Sequence, residues 1–72
     1  MKAKLYKNQK NTMYELQNKL NLSINTLYKY ARKQTGIDKM PIGTLLGIAK
    51  LENIEPIKLY YDMEEYINGN KR

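Results

Sequence analysis

The chain has 72 residues, 42% of them hydrophobic and 28% charged, which suits one small core and is too short for two. It has no Cys and no His, which excludes disulfides, the usual zinc sites and any imidazole acid, base or nucleophile partner. Thirteen Lys and Arg oppose seven Asp and Glu, a net charge of +6 that points to an anionic partner.

In chain order, Met1-Lys2-Ala3-Lys4 is basic, but no uninterrupted apolar stretch follows it, so a secretory signal is not expected. No run anywhere approaches the ~20 apolar residues of a membrane span. A cytoplasmic protein without a membrane partner is expected. Residues 1–11 hold Ala3, Leu5 and Tyr6 as apolar anchors among lysines. They fit either a short first helix of one or two turns or a flexible basic arm.

Thr12-Met13-Tyr14-Glu15 is a capping box, with Thr12 and Glu15 each placed to satisfy the other's amide. The helix it opens carries Leu16 and Leu20 on one face and should end near Asn21, a residue type that tolerates the left-handed conformation. Only Asn21-Leu22 separate it from Ser23, a suitable N-cap for a second helix from Ile24 to about Lys33. Two helices so closely joined make a helix–turn–helix pair over 12–33.

Residues 34–41 read as a loop, with Gly36 as a C-cap and Pro41 blocking continuation. From Ile42 to about Leu51, Leu45, Ile48 and Ala49 recur at helical spacing. Gly43 and Gly47 each weaken that helix by about 1 kcal/mol relative to Ala, so it requires tertiary packing. Glu55-Pro56 starts the last helix, with Pro56 in its first turn, a stripe of Ile57, Tyr60, Met63 and Ile67, and Gly69 at its end. Residues 42–68 thus form two closing helices and 69–72 a frayed tail. The expected fold is all-α, a single domain of four to five helices.

Charge is unevenly spread. Residues 1–36 carry eight basic residues against Glu15 alone, a balance of +7, whereas residues 37–72 balance at −1. One face aimed at phosphates accounts for that asymmetry, although lysines that merely solubilise a small domain would look similar.

Catalysis finds little support. Without His or Cys, Ser23 and the other hydroxyls lack an activating base. Asp62, Glu64 and Glu65 are near neighbours in sequence, but successive helical side chains diverge by about 100°, so they form no paired-carboxylate site. No metal or cofactor is expected, and no enzyme.

The second helix is more informative. On a helical wheel Asn25, Lys29, Arg32 and Lys33 share one polar arc, with Thr26 at its edge. Short amides plus long cations suit major-groove readout: Asn pairs with adenine, and Arg or Lys with guanine, while hydroxyls and cations hold phosphates. A solvated basic face on an ordinary amphipathic helix is the plainer reading of the same arc.

The segment Met13–Tyr30 resembles the helix–turn–helix of the phage repressor/Cro family (XRE type), and Pro41–Tyr60, with its Leu45-Leu46-Gly47-Ile48-Ala49 run, is similar to that family's two closing helices. The resemblance covers roughly residues 12–61. It implies a lambda-repressor-like DNA-binding domain with Leu16, Leu22, Leu27 and Tyr30 buried. It also implies Ser23 at the cap of a recognition helix, and Ile24, Asn25, Thr26, Tyr28 and Lys29 facing bases or phosphates. Thr12 and Met13 fall where the preceding helix's N-terminus touches the DNA backbone. Two positions depart from the pattern: Gln17 stands where the family has Ala, and Asn21 where it has Gly. The wheel alone buries Ile24 and Tyr28 and leaves Tyr30 at the edge; the family pattern reverses this and is preferred.

The resulting expectation is a sequence-specific transcriptional regulator that binds double-stranded DNA. Its DNA-binding residues would be Thr12, Met13, Ser23, Ile24, Asn25, Thr26, Tyr28, Lys29, Arg32 and Lys33, with the Lys-rich N-terminal segment and the loop around Lys33–Lys39 on phosphates. A homodimer through Ile57, Tyr60, Met63 and Ile67 would supply two half-site readers. The alternative is an antirepressor-like modulator that uses the same fold to bind a partner repressor protein, a reading supported by the acidic second half (Glu52, Glu55, Asp62, Glu64, Glu65) and by tyrosines of the last helix that could be exposed.

Overall fold

The computed structural model describes residues 3–23 and 25–69. Among them it contains four α-helices, α1 (Met13–Lys19), α2 (Thr26–Ala31), α3 (Ile42–Glu52) and α4 (Pro56–Asn68), with a 3-10 turn at Ile37–Lys39 and no strand. The expected all-α class therefore holds. α1 packs on α2, α3 on α4, and the 3-10 turn on α4.

α1 begins as its sequence dictates: the Thr12 hydroxyl accepts from the Glu15 amide at 3.0 Å, and Glu15 Oε1 accepts from the Thr12 amide at 2.9 Å. It ends at Asn21, whose φ of 56° lets the Leu22 amide reach back to the Gln17 carbonyl at 2.8 Å. This is a Schellman closure on a non-glycine residue.

α2 departs from expectation at both ends. Ser23 does not cap it; the Ser23 hydroxyl instead shares a 2.8 Å hydrogen bond with the Thr26 hydroxyl. Asn25 is the N-cap, in the left-handed region at φ 74°, and offers no side-chain cap. The missing acceptor comes from α1: Gln17, buried, takes the Leu27 amide on Oε1 at 3.1 Å. Gln17 thus fills a capping role for a helix other than its own. At the other end Lys33, not Gly36, adopts the left-handed conformation (φ 64°), with the Gln34 amide donating to the Lys29 carbonyl at 2.8 Å. Gly36 is extended and precedes the 3-10 turn, which buries Ile37 within the expected loop. Ile24 and the tail beyond Gly69 lie outside the described residues.

α3 and α4 start and stop close to their predicted limits. Asn53 (φ 58°) closes α3, and Gly69 (φ 64°) closes α4. Gly47 is where α3 meets the end of α1: a Cβ there would lie 2.6 Å from Leu20 Cδ2. The packing that this glycine-weakened helix requires comes chiefly from α4, with Leu20 closing on Gly47. The stripe of α4 is Leu59, Met63 and Ile67, all buried at four-residue spacing, with Tyr60 partly buried beside it. Ile57 is 70% exposed and does not belong to the stripe.

Residues 3–11 are neither a helix nor a free arm. They run as an irregular strap whose Leu5 (0% exposed) and Tyr6 (2%) enter the core. Gln9 staples the strap internally: its Oε1 accepts from the Leu5 amide at 2.7 Å and its Nε2 donates to the Asn11 carbonyl at 2.6 Å.

Candidate nucleic-acid interface

α2 turns Leu27 and Tyr30 into the core and leaves Asn25, Lys29 and Arg32 exposed. Lys29 stands within α2, and Asn25 and Arg32 stand at its two caps. Lys33 is also exposed, just past the helix. Tyr28 is half-buried against the core, and the Arg32 guanidinium lies over its ring, 5.2 Å from the centroid. This stacking holds Arg32 along the surface with its hydrogen-bonding edge free. Among the described residues no carboxylate pairs with Lys29, Arg32 or Lys33.

Other expected site residues fare differently. Thr26 is half-buried, with its hydroxyl engaged by Ser23. The Met13 side chain is buried in the core at 3% exposure, which leaves its backbone at the start of α1 as the part that could meet a ligand. Thr12 is exposed, but its amide is already taken by the Glu15 carboxylate. That amide is therefore not free for a phosphate, which leaves the Thr12 hydroxyl, itself an acceptor for the Glu15 amide, and the neighbouring side chains at the start of α1.

The strap is fixed by a single carboxylate. Glu52, counted in the sequence among the acids of the second half, is 1% exposed at the end of α3. Its Oε1 accepts from the Tyr6 hydroxyl at 2.5 Å and the Lys10 amide at 2.7 Å; its Oε2 accepts from the Asn11 amide at 2.8 Å and Asn11 Nδ2 at 2.6 Å. Burial by itself would raise the carboxyl's pKa, but these donors outweigh it and hold Glu52 below the usual range. Burial, and then the bond and charge of Glu52, push the Tyr6 phenol up.

Between the strap, the start of α1 and α2 runs an open groove of about 580 Å³. Lys4, Lys10 and Arg32 flank it, together with Thr12, Tyr14 and Tyr28, and no acid lines it. Lys7 faces a different groove, shared with Lys58, Asp62 and Glu65. Lys58 and Asp62 form an ion pair there at 3.4 Å.

On the other side, α3 and α4 leave an uncharged groove of about 210 Å³ lined by Ile42, Leu45, Pro56, Ile57, Tyr60 and Tyr61. The expected dimer residues divide here. Ile57 and Tyr60 border the groove, whereas Met63 (0% exposed) and Ile67 (5%) are core and cannot meet a second chain.

Among the described residues no group of three His, Cys, Asp or Glu could hold a metal ion, and no helix is long and apolar enough to cross a membrane. No family model, no curated protein and no solved structure matches the chain.

Sequence reasoning missed Gln17 and Glu52 as the residues that position this surface. Each acts on a partner at least ten residues away in sequence, beyond the reach of capping rules.

Proposed function

We propose that the protein is a small sequence-selective DNA-binding regulator of the phage repressor/Cro type, binding without catalysis, with α2 entering the major groove. The observation that carries this reading is the exposure of Asn25, Lys29 and Arg32, along and at the two caps of α2, with no carboxylate paired to either cation among the described residues. Asn25 and Lys29 are the base-reading candidates; Arg32 and Lys33 lie toward phosphates. The basic excess of residues 1–36 supports the same assignment.

Selection from a random duplex pool by the purified chain tests it. An enriched motif is expected, and Lys29→Ala should relax preference at one base position by ~1–3 kcal/mol if Lys29 reads a base. If it holds only phosphate, all sequences should weaken alike. A pool that shows no enrichment and binding insensitive to Lys29→Ala would overturn the reading.

The uncharged groove between α3 and α4 favours a second reading, a modulator that docks on a partner repressor. Such a chain would bind no duplex selectively by itself but would change the migration of a repressor–DNA complex.

A further inference from the structure

The strap presents its lysines to two chemically different grooves. Lys4 and Lys10 border the acid-free groove that ends at Arg32, while Lys7 borders one that already holds Asp62 and Glu65. The first has three cations and no carboxylate among its lining residues, and the carboxylates next to it, Glu15 and Glu52, are engaged by amides of Thr12, Lys10 and Asn11. In the second, fixed carboxylates cancel the field. The strap's backbone is also immobilised before any ligand arrives, because four donors from Tyr6, Lys10 and Asn11 converge on the two oxygens of Glu52. A cation on a fixed backbone loses less conformational freedom on binding than one on a free arm.

We propose that the groove flanked by Lys4, Lys10 and Arg32 seats the sugar–phosphate backbone of the duplex that α2 reads, and that Glu52 is a positioning residue for it. This deepens the reading of α2 given above and rests on it. Glu52 acts through the strap, without touching DNA. A carboxylate offers acceptors on both oxygens, whereas Gln places an NH2 where two of the four donors now point. The sign of its effect is therefore opposite to that of simple charge counting: replacing this acid should weaken binding to a polyanion.

The test is titration of the full chain against its selected duplex by fluorescence anisotropy, across about 50 to 200 mM salt. Lys4→Ala/Lys10→Ala should lose on the order of tenfold in affinity near 0.1 M salt and flatten the log K against log salt slope by about 2, with base preference unchanged. Lys7→Ala, which removes charge from the same strap, should leave the slope as it is. Glu52→Gln should lower affinity and flatten the slope. If circular dichroism shows that this variant does not fold, Tyr6→Phe, which deletes one of the four donors, should give a smaller change of the same sign. An unchanged slope in the double lysine variant, an equal loss in Lys7→Ala, or tighter binding by Glu52→Gln overturns the groove while leaving α2 as the reader. A wild-type chain that binds no duplex overturns the reading of α2 and the groove with it.

Discussion

The strap and α4 lie at opposite ends of the chain and reverse the usual association of regular structure with burial. The strap has no helix, yet Leu5 is as deeply buried as any residue of the core and Tyr6 nearly so. α4 is the longest helix, yet Ile57, Tyr61 and Tyr66 on it remain exposed. In α4 the backbone satisfies itself, so side chains are free to face water or a partner. In the strap, backbone amides need side-chain acceptors: Gln9 takes that of Leu5, and one carboxylate of α3 takes those of Lys10 and Asn11. Regularity and burial are separate requirements, and a single buried acid can replace a turn of helix.

The largest test of this comparison is a matched pair of truncations. Leu5→Ala in the strap and Leu59→Ala in α4 should each cost about 2–5 kcal/mol in urea unfolding, since both side chains are fully buried. A near-neutral Leu5→Ala would return the strap to the status of a flexible arm. Next is Glu52→Gln, expected to cost about 2–4 kcal/mol by stranding donors that now share its oxygens. The same bond network sets the pH limits. Glu52 is held below its ordinary value of 4.5, so its contribution is complete above that pH and is lost as pH falls through the folded value. Tyr6 is raised above its ordinary 10.0, so its contribution is complete below pH 10 and is lost as pH rises toward the folded value. Unfolding across pH should show both limbs, the acid one reduced in Glu52→Gln and the alkaline one in Tyr6→Phe.

A smaller effect is expected at the end of α2. Lys33 holds a left-handed conformation that Gly adopts without strain, so Lys33→Gly should stabilise the fold by about 1 kcal/mol while removing a candidate phosphate contact. A thermal melt and a binding titration would then move in opposite directions. The smallest is Ile57→Ser on the exposed face of α4, expected within about 0.5 kcal/mol. A larger loss would mean that a second chain covers the groove beside it, and equilibrium sedimentation would reveal that directly.

Much of the helical framework was legible because its signals are local. The Thr12–Glu15 box, the left-handed Asn21, Pro56 in the first turn of α4 and Gly69 at its end each act within a few residues of the element they bound. The phase of α4 was misread because two arcs of that helix carry apolar residues; Leu59 completes one at four-residue spacing, and Ile57 lies on the other. The candidate site divides in the same way. The exposure of Asn25, Lys29 and Arg32 agrees with the polar arc of the helical wheel, although only Lys29 lies inside α2 and the other two are its caps. What holds these residues in place has no local signal. Gln17 reaches Leu27 across ten residues, and Glu52 reaches the strap across more than forty, so only folding brings the partners together. Ser23 looked like the cap of α2 because local rules have no means to anticipate an acceptor delivered by another helix.

The Tyr6–Glu52 bond also has an optical consequence. The chain has seven Tyr and no Trp, so no indole masks phenol absorption or emission. A phenol donating to a carboxylate absorbs to the red of a hydrated one and emits weakly. Intrinsic ultraviolet spectra therefore contain a built-in gauge of whether the amino-terminal segment is latched, readable without any attached dye.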